Sequence, residues 1–492
     1  MAAAWEYIKE FFIALGQWII APWNPMGNPL KNFIASHPDG GAWALVVVFW
    51  VLSTLIVAGI VWLIVIFVRK HLRFSKKEIE KESLQATVYS LQSEIEDVTK
   101  ERDELRDQLY KVSAETPADA DEELAKARFQ MLMTVDRHYP NGVLPCEYKD
   151  PEDANITLEA LCERFRNFAS SQMHLYYTLP VIRTLFAAMG SSRLLILEGI
   201  SGTGKTSLPY ALGRFFEHNA TICPVQPSWR DRTELIGFYN EFTHKFTETV
   251  FLSAIYEATF RDDINLVVLD EMNLARIEYY FAEFLSIMEM PNVNEWKITL
   301  IAAAAENDPR HLRDGTLLIP QNIWFVGTAN NDDSTFTITD KVYDRAMSMF
   351  FDNKGIPFEA PYTEALPLPY NYLNNLFLQA KSDHPVSETT LGKFKELDSF
   401  VIDHFKLAFG NRIMKQINDF VPCFIACGGT ELGAFDYVFK SKILKKFEVL
   451  NVAFLRDELL ALDHELNRLF GKGEFKMSHA KIKDFLKQSS AD

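Results

Sequence analysis

The sequence predicts an α/β protein, a parallel sheet between helices, from three apolar runs that each end in a distinctive polar group. Leu194-Leu195-Ile196-Leu197-Glu198 leads into Gly199-Ile200-Ser201-Gly202-Thr203-Gly204-Lys205-Thr206-Ser207. Ile264-Asn265-Leu266-Val267-Val268-Leu269 leads into Asp270-Glu271-Met272-Asn273. Asn322-Ile323-Trp324-Phe325-Val326-Gly327-Thr328 leads into Ala329-Asn330-Asn331-Asp332-Asp333. Runs this apolar suit strands buried on both faces, and open α/β sheets gather ligands beyond the carboxyl ends of their strands. A transmembrane helix and a coiled coil are predicted to precede this domain.

Residues 1–41 form a predicted extracytoplasmic amphipathic segment. Trp5, Ile8, Phe11, Phe12, Leu15, Trp18 and Ile19 recur at helical spacing. Such a helix can lie on the outer membrane–water interface, or it can be a second apolar segment packed against the span that follows. Glu6, Lys9 and Glu10 replace the basic start of a signal peptide, and Pro22, Pro25, Pro29 and Pro38 break the chain afterwards.

Residues 42–68 carry no charge. As a helix they would extend about 40 Å, more than the roughly 30 Å hydrocarbon core of a bilayer, so a tilted crossing is expected. Arg69, Lys70, Arg73, Lys76 and Lys77 follow at once. The positive-inside rule then makes this a single-pass inner-membrane protein in contact with lipid, N-terminus outside and the remainder cytoplasmic. Residues 69–115 read as a basic juxtamembrane stretch and coiled-coil stalk. Val88, Ile95, Arg102 and Leu109 take a positions, and Leu84, Leu91, Val98, Leu105 and Val112 take d positions. A charged residue at one a position sets register at a cost in stability. The number of strands in the coil stays open.

Residues 116–185 read as a linker and N-terminal helices, 186–355 as the large nucleotide-binding subdomain, and 356–492 as a helical lid with a C-terminal tail. Leu158 to Phe168, Leu179 to Met189, Phe405 to Ile425 and Phe447 to Leu469 are apolar at helical spacing. Lys472 to Lys487 is basic and reads as a solvated face. The net charge of −16 supplies no general pull toward nucleic acid, so direct nucleic-acid binding is not expected. Cys146, Cys162, Cys223, Cys423 and Cys427 lack paired spacing and read as free thiols rather than a disulfide framework.

The first polar group has the form of a phosphate-binding loop between strand and helix. Gly199, Gly202, Thr203, Gly204, Lys205, Thr206 and Ser207 are the candidate nucleotide-binding residues. Glycines let backbone N–H groups approach phosphate oxygens, and the N-terminus of the next helix favours negative charge. Lys205 would reach the β- and γ-phosphates, and the Thr206 hydroxyl would bind Mg²⁺. Asp270 would hold the same Mg²⁺ through water, leaving Glu271 to orient or deprotonate the attacking water. Asn330, at the end of a neighbouring strand, suits contact with the γ-phosphate and that water. Arg345 can act on a neighbouring subunit's transition state, or pair locally with Asp340 or Asp344.

Together the phosphate loop, the Asp270-Glu271-Met272-Asn273 box, the Asn330–Asp333 segment and Arg345 resemble an AAA+ P-loop NTPase, most closely the McrB-like branch. Val225 to Arg232 with Leu235, Gly237 and Asn240 is similar to the stretch after the first helix of that branch. Ile298 to Ile319 resembles its hairpin before the next strand. Gly410-Asn411-Arg412, Ala434-Phe435-Asp436 and Lys442 to Lys446 resemble its lid. The likeness covers about residues 180–450. It implies hydrolysis of ATP or GTP with Mg²⁺ in a homo-oligomeric ring, a hexamer, with Arg412 touching nucleotide from the lid.

Ala329 stands where the family carries Met, and a span and stalk stand where McrB carries a DNA-reading domain. The resemblance implies the motor of a restriction or anti-phage defence system, served by a separately encoded McrC-like nuclease or other effector. The alternatives are a MoxR-like chaperone that remodels membrane complexes and a nucleotide-gated membrane scaffold.

Overall fold

The computed structural model describes residues 124–146, 156–330, 332, 335–351, 355–450 and 452–488, together with Trp62. The predicted segment 1–41, span 42–68 and stalk 69–115 lie outside the described residues, Trp62 excepted. Among the described residues no helix is long and apolar enough to cross a membrane.

Five strands form the central sheet: β1 (Leu194–Gly199), β2 (Thr221–Pro224), β3 (Asn265–Asp270), β4 (Ile323–Asn330) and β5 (Met347–Phe351). Their order is β5-β1-β4-β3-β2, and every neighbouring pair is parallel. This is an α/β P-loop fold. All three predicted strands lie side by side at its centre, as β1, β4 and β3. Their side chains alternate between two buried layers. Leu195, Leu197, Leu266, Val268, Trp324 and Val326 enter one; Leu194, Ile196, Val267, Leu269, Ile323 and Phe325 enter the other. Burial on both faces is why these strands read as nearly unbroken apolar runs.

Helices α1 (Gln130–His138), α2 (Leu158–Met173), α3 (Leu179–Ser191), α4 (Ser207–Phe215) and α5 (Val250–Ala258) cover the sheet. Leu161, Phe165 and Phe186 share the core of Leu195 and Leu197, so α2 and α3 are integral to the body built on the sheet. Leu132 and Val135 of α1 join Leu252 and Ile255 of α5 in the other layer. The predicted hairpin between residues 298 and 319 is a three-stranded antiparallel unit, Lys297–Thr299, Leu312–Arg313 and Thr316–Leu318.

The lid comprises α6 (Tyr370–Asp383), α7 (Glu388–Phe405), α8 (Gly410–Ala426), α9 (Glu431–Val438), α10 (Arg456–Phe470) and α11 (Lys476–Gln488). The apolar run from Phe405 to Ile425 is not one helix. Lys406 ends α7 in the left-handed region at φ 58°, and the Phe409 N–H donates to Asp398 Oδ1 at 2.9 Å before α8 begins. Between α9 and α10 the chain widens into a π-turn, Phe439–Ile443, and then tightens into a 3₁₀ stretch, Leu444–Val449. The basic tail is α11. Phe475, Ile482 and Phe485 bury its apolar side, while Lys481 pairs with Glu448 at 2.6 Å.

Candidate functional site

The phosphate loop leaves β1 at Gly199, whose φ of 144° and whose 2.2 Å separation between an added Cβ and the Phe351 carbonyl oxygen admit only glycine. Thr203 Oγ1 closes the turn by donating to the Ile200 carbonyl at 2.8 Å. Gly202 and Gly204 also take positive φ, and Tyr177 Oη donates to the Gly204 carbonyl at 3.0 Å. Lys205 Nζ donates to the carbonyls of Gly199 (3.0 Å) and Ile200 (2.8 Å), so its ammonium lies within the curl of the loop. Burial lowers its pKa, and the charges of Asp270 and Glu271 oppose that shift. Thr206 is the N-cap residue and Ser207 the first residue of α4.

Strand order brings the acidic pair and Asn330 to this loop. β4 lies between β1 and β3, and Asn330 pairs in register with Gly199. Asp270 Oδ1 accepts from Thr206 Oγ1 and from Thr328 Oγ1, both at 2.7 Å. The Glu271 N–H donates to Thr328 Oγ1 at 2.8 Å, and Asn330 Nδ2 approaches Glu271 Oε1 at 3.4 Å. Glu271 itself sits in the left-handed region at φ 53°. A non-glycine residue there stores strain of about 1–2 kcal/mol, of the kind found at functional sites.

Two residues that sequence reasoning passed over fix this geometry. Thr328, 2 % exposed, uses one hydroxyl to orient both carboxylate-bearing residues. Asn273 is buried; its Nδ2 donates to the Asn330 carbonyl at 2.8 Å, and its Oδ1 accepts from the Asn330 N–H at 3.3 Å. The available signal was polarity within an apolar strand for Thr328, and position in the acidic box for Asn273. In Thr328→Val the shape is kept, but the Glu271 N–H loses its acceptor and Asp270 a donor. An unmet buried group costs about 1–3 kcal/mol, so a hydrolytic site built here should lose about tenfold to a hundredfold in turnover with KM little changed. Steady-state kinetics check this.

Arg345 and Arg412 meet elsewhere, on Glu289. Arg345 Nη2 reaches Glu289 Oε2 at 2.8 Å, and Arg412 Nε reaches Glu289 Oε1 at 2.5 Å. Arg345 Nη1 also donates to the Lys341 carbonyl at 2.8 Å, and its Nε is buried without a hydrogen-bond partner. The alternative expectation, a local pairing of Arg345 with Asp340 or Asp344, is not what forms. Asp344, one residue away, points elsewhere and pairs with Lys446 at 3.0 Å.

Among the described residues no three His, Cys, Asp or Glu side chains group as a metal site. Mg²⁺ brought by a nucleotide needs only one or two protein oxygens, since phosphates and water fill the rest. The adjacent Thr206 Oγ1 and Asp270 Oδ1 meet that requirement.

No family model matches the sequence, and no curated protein matches it. Among solved structures, a candidate ATPase from Cytophaga hutchinsonii ATCC 33406 aligns over 55% of this chain and 83% of its own, at 14% identity and a TM-score of 0.36. A full-length MCM homolog from Methanopyrus kandleri aligns over 60% of this chain, at 13% identity and a TM-score of 0.34. The chain spans 61% of the length of that homolog.

Proposed function

We propose that the chain is a membrane-tethered AAA+-type motor that hydrolyses ATP or GTP in a homo-oligomeric ring. The observation that carries this reading is one hydrogen-bonded constellation. Thr206 of the phosphate loop, Asp270 and Thr328 share a carboxylate oxygen, with Glu271 and Asn330 paired beside them. Loop amides and Lys205 bind the phosphates. Thr206 and Asp270 would hold Mg²⁺, which would supply charge neutralisation to the bound phosphates. Glu271 takes the proton of the attacking water, and Asn330 orients that water and the γ-phosphate. Arg345 serves the site of the adjoining subunit.

Lys205→Ala is the direct test. Charge-assisted hydrogen bonds of about 1.5–3 kcal/mol are lost, so nucleotide affinity should fall about tenfold to a hundredfold and hydrolysis with it. Binding of a fluorescent nucleotide and phosphate release are the two readouts. Unchanged hydrolysis in Lys205→Ala would remove the proposal.

Tethering is supported by the uncharged stretch 42–68 and the basic cluster from Arg69 to Lys77. Recovery of the full chain in the soluble fraction after cell lysis would refute it. The McrB-like resemblance supports a defence role with a separately encoded effector. Capture of a nuclease from native membranes by a Glu271→Gln trap is the corresponding test, and recovery of envelope complexes instead would favour a MoxR-like remodelling role.

A further inference from the structure

The turn that carries Arg345 is held by its backbone. Four consecutive carbonyls, from Tyr343 to Ala346, each accept a hydrogen bond from a side chain. Lys442 Nζ donates to Tyr343 O at 2.6 Å and also to Ala346 O. Gln416 Nε2 donates to Asp344 O at 3.1 Å, and Ser192 Oγ donates to Arg345 O at 3.2 Å. Lys442 lies in the lid's π-turn and Gln416 in α8, so three of the four bonds come from the lid. Lys446, from the following 3₁₀ stretch, pairs with the Asp344 carboxylate.

Lys442 is 2 % exposed, a position where lysine is rarely found without a specific partner. Core packing alone would favour an apolar residue, because taking an ammonium out of water costs several kcal/mol. Its carbonyl partners compensate that cost, and burial still lowers its pKa to about 7. The other end of the same turn is fixed to the phosphate-loop strand. Tyr343 Oη donates to Glu198 Oε2 at 2.8 Å, and Lys445 reaches the same oxygen at 3.3 Å. Glu198 directly precedes Gly199.

We infer that Lys442 is a positioning residue: by bridging the carbonyls of Tyr343 and Ala346 it lets the lid of one subunit set the reach of Arg345 toward the next subunit's nucleotide. This rests on the proposed trans role of Arg345. Lys442 touches no reacting group; it acts through the turn.

Mixed assemblies test the idea. Glu271→Gln subunits lack their own hydrolysis but present a sound Arg345. Arg345→Ala subunits have a sound site but no arginine to offer. Mixing the two full-length proteins should restore hydrolysis about tenfold or more above the sum of the separate activities, since an arginine supplied in trans is worth ~10³–10⁵ in rate. Lys442→Met subunits should behave as Arg345→Ala subunits do. They should bind fluorescent nucleotide normally, turn over slowly alone, and recover when mixed with Glu271→Gln.

Gln416→Met, which removes only the bond to Asp344 O, is the second variant and should show the same recovery from a smaller initial loss. If Arg345→Ala fails to recover with Glu271→Gln, the trans reading falls. If Arg345→Ala recovers but neither Lys442→Met nor Gln416→Met does, the role assigned to Lys442 is wrong. Wild-type turnover in Lys442→Met alone would also overturn it.

Discussion

Arg345→Ala should leave nucleotide binding intact while lowering hydrolysis about a thousandfold or more, the range seen when a transition-state arginine is removed. Within one subunit Arg345 is engaged by Glu289 and the Lys341 carbonyl, not by the phosphate-loop groups. Nothing in its own site therefore depends on it for ground-state binding. Its turn is held at four consecutive carbonyls, more fixation than an ion pair with Glu289 alone requires. A group that acts only on the transition state changes kcat and kcat/KM alike and spares affinity. Specific activity provides a second reading. In the intact protein it should rise with concentration as copies assemble, whereas the Arg345→Ala protein should stay flat. A variant that loses nucleotide affinity instead would return Arg345 to a structural role within the subunit.

The candidate site at the carboxyl edge of the sheet was legible because it is local in sequence. Lys205 and Thr206 follow their glycines at fixed spacing, and Asp270 and Glu271 end an apolar run of the length and β-branched content that suits a doubly buried strand. Asn330 was legible as the polar side chain that ends β4. What holds these residues was not legible, because it comes from register. Thr328 meets Asp270 only because β4 lies beside β3, and no pattern within either strand announces that neighbour.

Arg345 shows the same limit from the other side. The sequence offered Asp340 and Asp344 as partners, yet Arg345 lies in the turn after the short Asp340–Tyr343 helix, where its side chain is carried away from both. The partner found, Glu289, belongs to a different element altogether. Lys442 was legible as part of a lid motif, but its burial and its two carbonyl partners arise from tertiary packing. The break at Lys406 was hidden for a related reason. Apolar spacing continues through it, while the left-handed φ that ends α7 leaves no mark on hydropathy.

Glu271→Gln should bind nucleotide at least as tightly as the wild type and hydrolyse it about 10²–10⁴ times more slowly, the usual worth of a general base. The substitution is close to isosteric. It keeps an oxygen able to accept from Asn330 Nδ2 and leaves the Glu271 backbone N–H on Thr328, so the loop and the Asp270 carboxylate need not move. Only the charge and the proton-accepting capacity are lost. Asn330→Ala should by itself slow hydrolysis, because the lytic water loses an orienting donor. Combined with Glu271→Gln it should add little, since two groups that position and deprotonate one water act as a unit and their effects are not additive. Single-turnover measurements of both variants and the double variant decide the matter. Full additivity would separate Asn330 from Glu271, and wild-type turnover in Glu271→Gln would place the base on another residue.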